Sequence, residues 1–259
     1  MKKDLPPIFF FIIPLLLIVG TEEVFSQRQH NVDSLLNEIK QYDAHKAAVG
    51  SNVPVLSDST KANLLYLLCA EYSSIDLDKL RDCAQQLLSL SQKIGYKKGI
   101  GNACNGLGTY YTYIGNTDTA LLYYKKVYRV GVEIGDKNSI ANSYNNMGAI
   151  YENTGNYSEA LKNYINALKV REEMGSKKGT AAVYNNIGNI YLSMRKYDDA
   201  LQNELKSLKL SKEIGHNDGV ARSYNSIGNI YYEQNKYDEA LKNYHEALRI
   251  DLENGYLSN

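Results

Sequence analysis

The chain has 259 residues, 29 basic and 29 acidic side chains, formal net charge zero and an apolar fraction of 44%. That balance suits one soluble domain or a repeat array. It lacks the clustered Lys and Arg by which proteins hold DNA, RNA or an anionic membrane, so nucleic acid is not an expected partner.

Rare residues divide the chain. Pro6, Pro7 and Pro14 and all four Phe lie in the first 26 positions, and no proline follows Pro54. The remainder lacks the strongest helix breaker and draws its aromatic residues from Tyr alone, which predicts a helical body.

Residues 1–26 read as a secretory signal peptide. Lys2 and Lys3 form a positive start, Ile8 to Val19 is an apolar run, and Val24-Phe25-Ser26 offers a cleavage site, so the mature chain is expected to begin near Gln27. An uncleaved anchor is the alternative, although the run is short for a membrane span and contains Pro14. No Cys follows the run for lipid attachment, so the expected product is exported, periplasmic or extracellular. A downstream span would tether it.

Residues 27–60 are expected to hold one amphipathic helix, Val32 to Gln41, and a linker from Val49 to Ser59 carrying Gly50 and Pro54. Residues 61–98 then form a weaker helical pair. Leu65, Leu68, Cys69 and Tyr72 lie on one face, Leu80, Ala84 and Leu87 on the other, with a turn one residue shorter than in later pairs.

A period of 40 governs the rest. Ser139–Lys178 matches Gly219–Ser258 at 18 of 40 positions, giving units 99–138, 139–178, 179–218 and 219–258. Repeats of this length stack as solenoids. Tyr144, Met147, Gly148 and Tyr151 share one face of a first helix, and Ala160, Tyr164 and Ala167 one face of a second. Gly155-Asn156 forms the turn. Ser158-Glu159, Asp198-Asp199 and Asp238-Glu239 bring capping or acidic groups to the second helix, and Gly135, Gly175, Gly215 and Gly255 close it. Gly108, Gly148, Gly188 and Gly228 let the two helices approach, with tyrosines filling the space around them.

These residues resemble the tetratricopeptide repeat family in a 40-residue variant. Its pattern is met by Tyr224, Ile227-Gly228, Tyr231, Ala240, Tyr244 and Ala247, and Tyr184 to Tyr191 resembles repeats of spindle-orientation adaptors and bacterial signalling proteins. The resemblance covers 99–258 and implies an all-α, right-handed superhelical solenoid of antiparallel helix pairs. Val127 departs from the pattern, and so does Glu204, which stands in the slot of Tyr124, Tyr164 and Tyr244. A partly exposed Glu204 without function is the expectation.

The catalytic inventory is sparse. His30, His45, His216 and His245 have no metal-ligand spacing and read as surface residues. The glycines between Gly99 and Gly108 lack the strand and the Lys-Ser/Thr of a phosphate loop. Acidic residues are spread over polar faces rather than paired. Neither an enzyme nor a cofactor or metal is expected. Cys69, Cys83 and Cys104 read as buried packing residues, and a Cys69–Cys83 bridge would need neighbouring helices to bring the two together.

Asparagine stands out. Asn105, Asn145, Asn185 and Asn225 recur at one place in the first helices, with Asn146, Asn186, Asn189 and Asn229 beside them, although Asn is a mediocre helix former. In the resembled family the first helices line a concave groove, and an amide there offers a donor and an acceptor to a peptide backbone. Arg222 and Tyr232 would add charge and an aromatic surface. The alternative is that the amides bond one another and set the register of the stack.

The functional expectation is a non-enzymatic scaffold that binds a peptide or protein segment in this groove. The alternative is the extracytoplasmic sensor part of a bacterial signal-transduction protein, a histidine kinase or regulator, whose output region lies outside this chain. Leu241, Leu248 and Ile250 on the last helix have no following partner, which would suit self-association or a further domain after residue 259.

Overall fold

A computed structural model describes the backbone of residues 9–49 and 55–254 and the side chains of 25–48 and 58–254. The described residues form eleven helices: α1 (Phe9–Val49), α2 (Val55–Tyr72), α3 (Leu77–Lys93), α4 (Lys97–Tyr113), α5 (Thr117–Ile134), α6 (Lys137–Asn153), α7 (Tyr157–Glu173), α8 (Lys177–Ser193), α9 (Tyr197–Glu213), α10 (Asn217–Glu233) and α11 (Tyr237–Glu253). They build the all-α solenoid of antiparallel pairs that the periodicity predicts. Among the described residues no helix is long and apolar enough to cross a membrane.

The turns explain the regularity. From Gly95 onward a residue with left-handed backbone recurs every twenty positions, at Gly95, Gly115, Gly135, Gly155, Gly175, Arg195, Gly215 and Asn235. The next residue's N–H then reaches back five positions, as in Asn116 to Tyr111 O at 2.9 Å and Asn156 to Tyr151 O at 2.8 Å. This satisfies carbonyls that a helix end leaves unpaired, so turns within and between hairpins share one geometry. Arg195, at φ 57°, adopts it without glycine's freedom.

The close approach within a hairpin is glycine against ring. A Cβ added to Gly108, Gly148 or Gly228 would stand 2.7, 2.7 or 2.6 Å from a ring carbon of Tyr124, Tyr164 or Tyr244. Between hairpins, Ala160, Tyr164 and Ala167 of α7 pack with Val183, Ile187 and Ile190 of α8. Neither hairpin could bury these faces alone, which ties the stability of each to its neighbour.

At the N-terminus, Val32, Leu35 and Ile39 of α1 pack against the cluster of Leu65, Leu68 and Tyr72. Asn31 donates to Glu71 at 3.1 Å, and Lys61 and Asp43 add an ion pair. The backbone of α1 continues as helix from the amphipathic segment back to Phe9, while the side chains of the apolar run lie outside the described residues. Gly50 and Pro54 also lie outside them, but α2 already begins at Val55, so the second half of the expected linker is helical. The turn of the α2–α3 pair is longer, not shorter, than in the later pairs. Tyr72 ends α2, and the link of residues 73–76 has four residues where 114–116 has three.

The caps differ from the expected ones. Asn116 and Asn156, one turn before the acidic residues, accept from the backbone N–H of Thr119 and Glu159 at 3.2 and 3.3 Å. Lys196 and Lys236 occupy the same positions and make no side-chain cap.

Candidate binding groove

First helices approach one another along the stack, α2 with α4, α4 with α6 and α8 with α10, whereas no two second helices come as close. The first helices therefore line the inner, concave side. Every residue of the asparagine set lies on α4, α6, α8 or α10.

Six of the eight asparagines are joined to other repeat side chains. Asn146 donates to Asn105 at 3.2 Å and Asn186 to Asn145 at 2.9 Å, each pair linking first helices of neighbouring units. Asn185 continues the ladder by donating to Ser226 Oγ at 3.0 Å, the serine replacing the amide of Asn146 and Asn186. Asn229 accepts from the Tyr244 hydroxyl at 2.8 Å. These bonds fix the register between units. Arg222, Asn225 and Tyr232 are exposed, Asn189 is half-buried, and Tyr232 meets Tyr237 edge-on at 5.6 Å.

Glu204 overturns its expectation. It is completely buried, in contact with Gly188, and Asn185 Nδ2 donates to its two carboxylate oxygens at 3.0 and 2.9 Å. Burial pushes its carboxyl up to about 8, against the opposing pull of the Asn185 hydrogen bond and the Arg222 charge. Its counterpart Tyr164 is also buried, but its hydroxyl escapes to Glu152 at 2.6 Å. The chemical contrast was visible in sequence. Burial was not, because the glycine opposite leaves room for either side chain.

The second departure was missed by sequence reasoning. Near the end of α7, Arg171 runs over Gly179, where an added Cβ would lie 2.7 Å from its Cδ, and donates to Asn138 Oδ1 at 2.7 Å and to Asn142. Forty residues on, the slot holds Ser211, whose hydroxyl is buried and unpaired. The partners change with it: Lys178 replaces Asn138 and Ala182 replaces Asn142.

A cavity of about 230 Å³ opens at Ser211 between α8, α9 and α10, bordered by Lys178, Ala182, Asn185, Ser211, His216 and Arg222. His216 is thus half-buried in a cavity wall rather than a freely solvated surface residue. Lys178, Arg222 and the Ser211 hydroxyl offer donors, and Asp218 is the acidic group in the same wall. This arrangement can hold an acceptor-rich group from outside. Among the described residues no three His, Cys, Asp or Glu side chains converge to hold a metal ion.

Residues 139–213 and 180–253 match the sequence family described as tetratricopeptide repeat. No curated protein matches the sequence significantly. Among solved structures, BtubC (BKLC) from P. vanneervenii is similar over 90% of this chain and 94% of its own, with a TM-score of 0.72 and 18% identity. Aspartyl phosphate phosphatase F from Bacillus subtilis is similar over 96% of this chain and 77% of its own, with a TM-score of 0.64 and 13% identity. A signal-transduction ATPase with a tetratricopeptide repeat sensor from Pyrococcus horikoshii is similar over 96% of this chain and 43% of its own, with a TM-score of 0.59 and 18% identity. At such identities the likeness is one of fold. The helix pairs from α6 to α11 thus carry the tetratricopeptide repeat sequence pattern, and the solenoid they extend has a tetratricopeptide-like fold.

Proposed function

We propose that this protein is an exported, non-enzymatic scaffold whose concave face at α8 and α10 binds an extended segment of a partner protein. The carrying observation is the cavity at Ser211, where a buried hydroxyl without a partner borders open space beside Lys178 and Arg222. A buried, unpaired hydroxyl costs roughly 1–3 kcal/mol, which a ligand acceptor would recover. The segment places an acidic or amide side chain in the cavity. Asn189, Asn225 and Tyr232 extend the contact along the groove, and the paired asparagines hold its floor in register. The 1–26 leader supports export.

A second reading is favoured by one observation. Leu241 and Leu248 are 55% and 45% exposed on α11, whereas Leu161, Leu168, Leu201 and Leu208 occupy the same slots in α7 and α9 and pack within the stack. Ile250, expected on that open face, is buried. A further helical element covering Leu241 and Leu248 would make this the sensor part of a signal-transduction protein. Gene sequence beyond the codon for Asn259 encoding such an element supports that reading, and a stop codon there removes it.

The groove is tested by selecting a displayed random-peptide library on the full chain. Selected peptides should be rich in acidic or amide residues and bind Arg222→Ala and Ser211→Arg at least tenfold more weakly, with Lys169→Ala on α7 unchanged. Equal affinity for all four proteins, each checked for native helicity, would place the binding elsewhere.

A further inference from the structure

The α2–α3 pair carries two thiols where later hairpins place their closest approach. Cys69 occupies the slot of Gly148, which in α6 receives the ring of Tyr164. Across from Cys69 the second helix has Cys83 and then Ala84 in the ring's slot, so no ring fills the place that Tyr164 takes in the later hairpin. The sulfur atoms fill that gap. Cys69 Sγ lies 2.9 Å from Cys83 Sγ, both residues are buried, and Cys83 also donates to the Leu65 carbonyl at 3.2 Å. Each cysteine sits on a regular helix within the Leu65, Leu68, Leu80 and Leu87 cluster, so this core holds the pair in place. Cys104 packs in the next cluster, with Ala120, Tyr124 and Met147.

We infer that Cys69 and Cys83 are a modification site, a disulfide that staples the first helix pair of the solenoid. The sulfurs stand inside ordinary van der Waals separation, and bonding needs a further approach of about 1 Å, toward the S–S length of about 2.05 Å. The reaction is exchange with an external disulfide. The thiolate of one cysteine attacks a sulfur of the oxidant and releases one oxidant thiol. The second thiolate then attacks the protein sulfur of that mixed disulfide and releases the other. In sum, two protein thiols and one external disulfide become one protein disulfide and two external thiols.

The hydrogen bond to Cys83, and then burial, push the Cys69 thiol up, so the folded core disfavours the attacking thiolate. The bond therefore forms while the chain folds or when the α2–α3 pair opens, and it is protected once the core closes. Its loop is short, and its effect is local: it keeps α2 on α3, the pair on which both α1 and α4 pack. An exported chain would meet a disulfide oxidant as it folds, but the inference rests on the thiol geometry and not on export or on any groove ligand.

The test is to refold the full chain in glutathione buffers of graded ratio, alkylate under denaturing conditions and map the cysteine peptides. A Cys69–Cys83 linked peptide should persist with reduced glutathione in tenfold excess over oxidised, with Cys104 alkylated. The oxidised protein should melt several degrees higher than the reduced one, and Cys104→Ser should keep that difference while Cys69→Ser loses it. Three alkylated cysteines in fully oxidised buffer, or a bridge that includes Cys104, would overturn the inference.

Discussion

The units 139–178 and 179–218 share one backbone plan and differ in what fills it. In the earlier unit Tyr164 closes the hairpin and Arg171 spans the inner face to Asn138 and Asn142. In the later one Glu204 takes the place of the ring and Ser211 that of the arginine, leaving a buried carboxyl and a polar cavity side by side. A repeat array supplies its own control. Where two copies keep the same helices and turns, a change that introduces a buried carboxyl and an unpaired hydroxyl is costly for stability. Its position beside the concave face is why the groove proposal centres on α8 and α10.

The contrast can be broken first through Glu204. Its folded carboxyl is raised to about 8 from an unfolded value of 4.5, so the folded state binds the extra proton between those values. Stability is therefore fully present below pH 4.5, falls as pH rises, and levels off above about 8. The loss attributable to this group is up to about 5 kcal/mol, and Glu204→Gln should remove it. Urea unfolding of both proteins from pH 5 to 8 checks this, and parallel profiles would show that Glu204 is ionised throughout.

Glu204→Tyr should make the later unit resemble the earlier one. Gly188 already offers the space that Gly148 gives Tyr164, so the ring enters while the buried carboxyl is lost. A gain of about 2 kcal/mol at pH 8 is expected after allowing for the acceptor that Asn185 loses. A loss of stability in chemical denaturation would mean that the Glu204–Asn185 bond holds this unit together. In the earlier unit, Gly148→Ala drives a Cβ into the Tyr164 ring and should cost about 2 kcal/mol by the same assay. A neutral result would show that the ring yields freely.

The smallest expected effects are in the turns. Arg195→Gly relieves a left-handed residue and should stabilise by about 1 kcal/mol. Lys196→Asn restores the cap that Asn156 provides and should add about as much. Thermal unfolding of the single and double variants would sharpen the comparison, since gains that add indicate two independent defects in one turn.

The sequence made the helices legible because each hairpin repeats its glycine, aromatic and apolar positions at a fixed period, so local pattern and stacking agree. The ladder was half legible. Asparagines recurring at one helical position announced a shared environment, but Asn186 meets Asn145 across 41 residues, and only the stack decides that such amides face each other rather than a ligand. Glu204 could not be read as buried, since its burial depends on Gly188 and on the donor of Asn185 arriving from another helix. Arg171 and Ser211 are an overlooked contrast. Aligning the two units shows the difference, but its meaning depends on the path of the arginine side chain over Gly179. Cys69 and Cys83 illustrate the same limit, being separated by a turn whose length is set by where α2 ends.

The central claim is that the Ser211 cavity is a binding site, and calorimetric titration of one selected peptide tests it most directly. The full chain should bind the peptide, and Ser211→Arg, which restores the side chain that fills this place in the preceding unit, should bind it at least tenfold more weakly without loss of helicity. Undiminished affinity in a folded Ser211→Arg protein would contradict the claim.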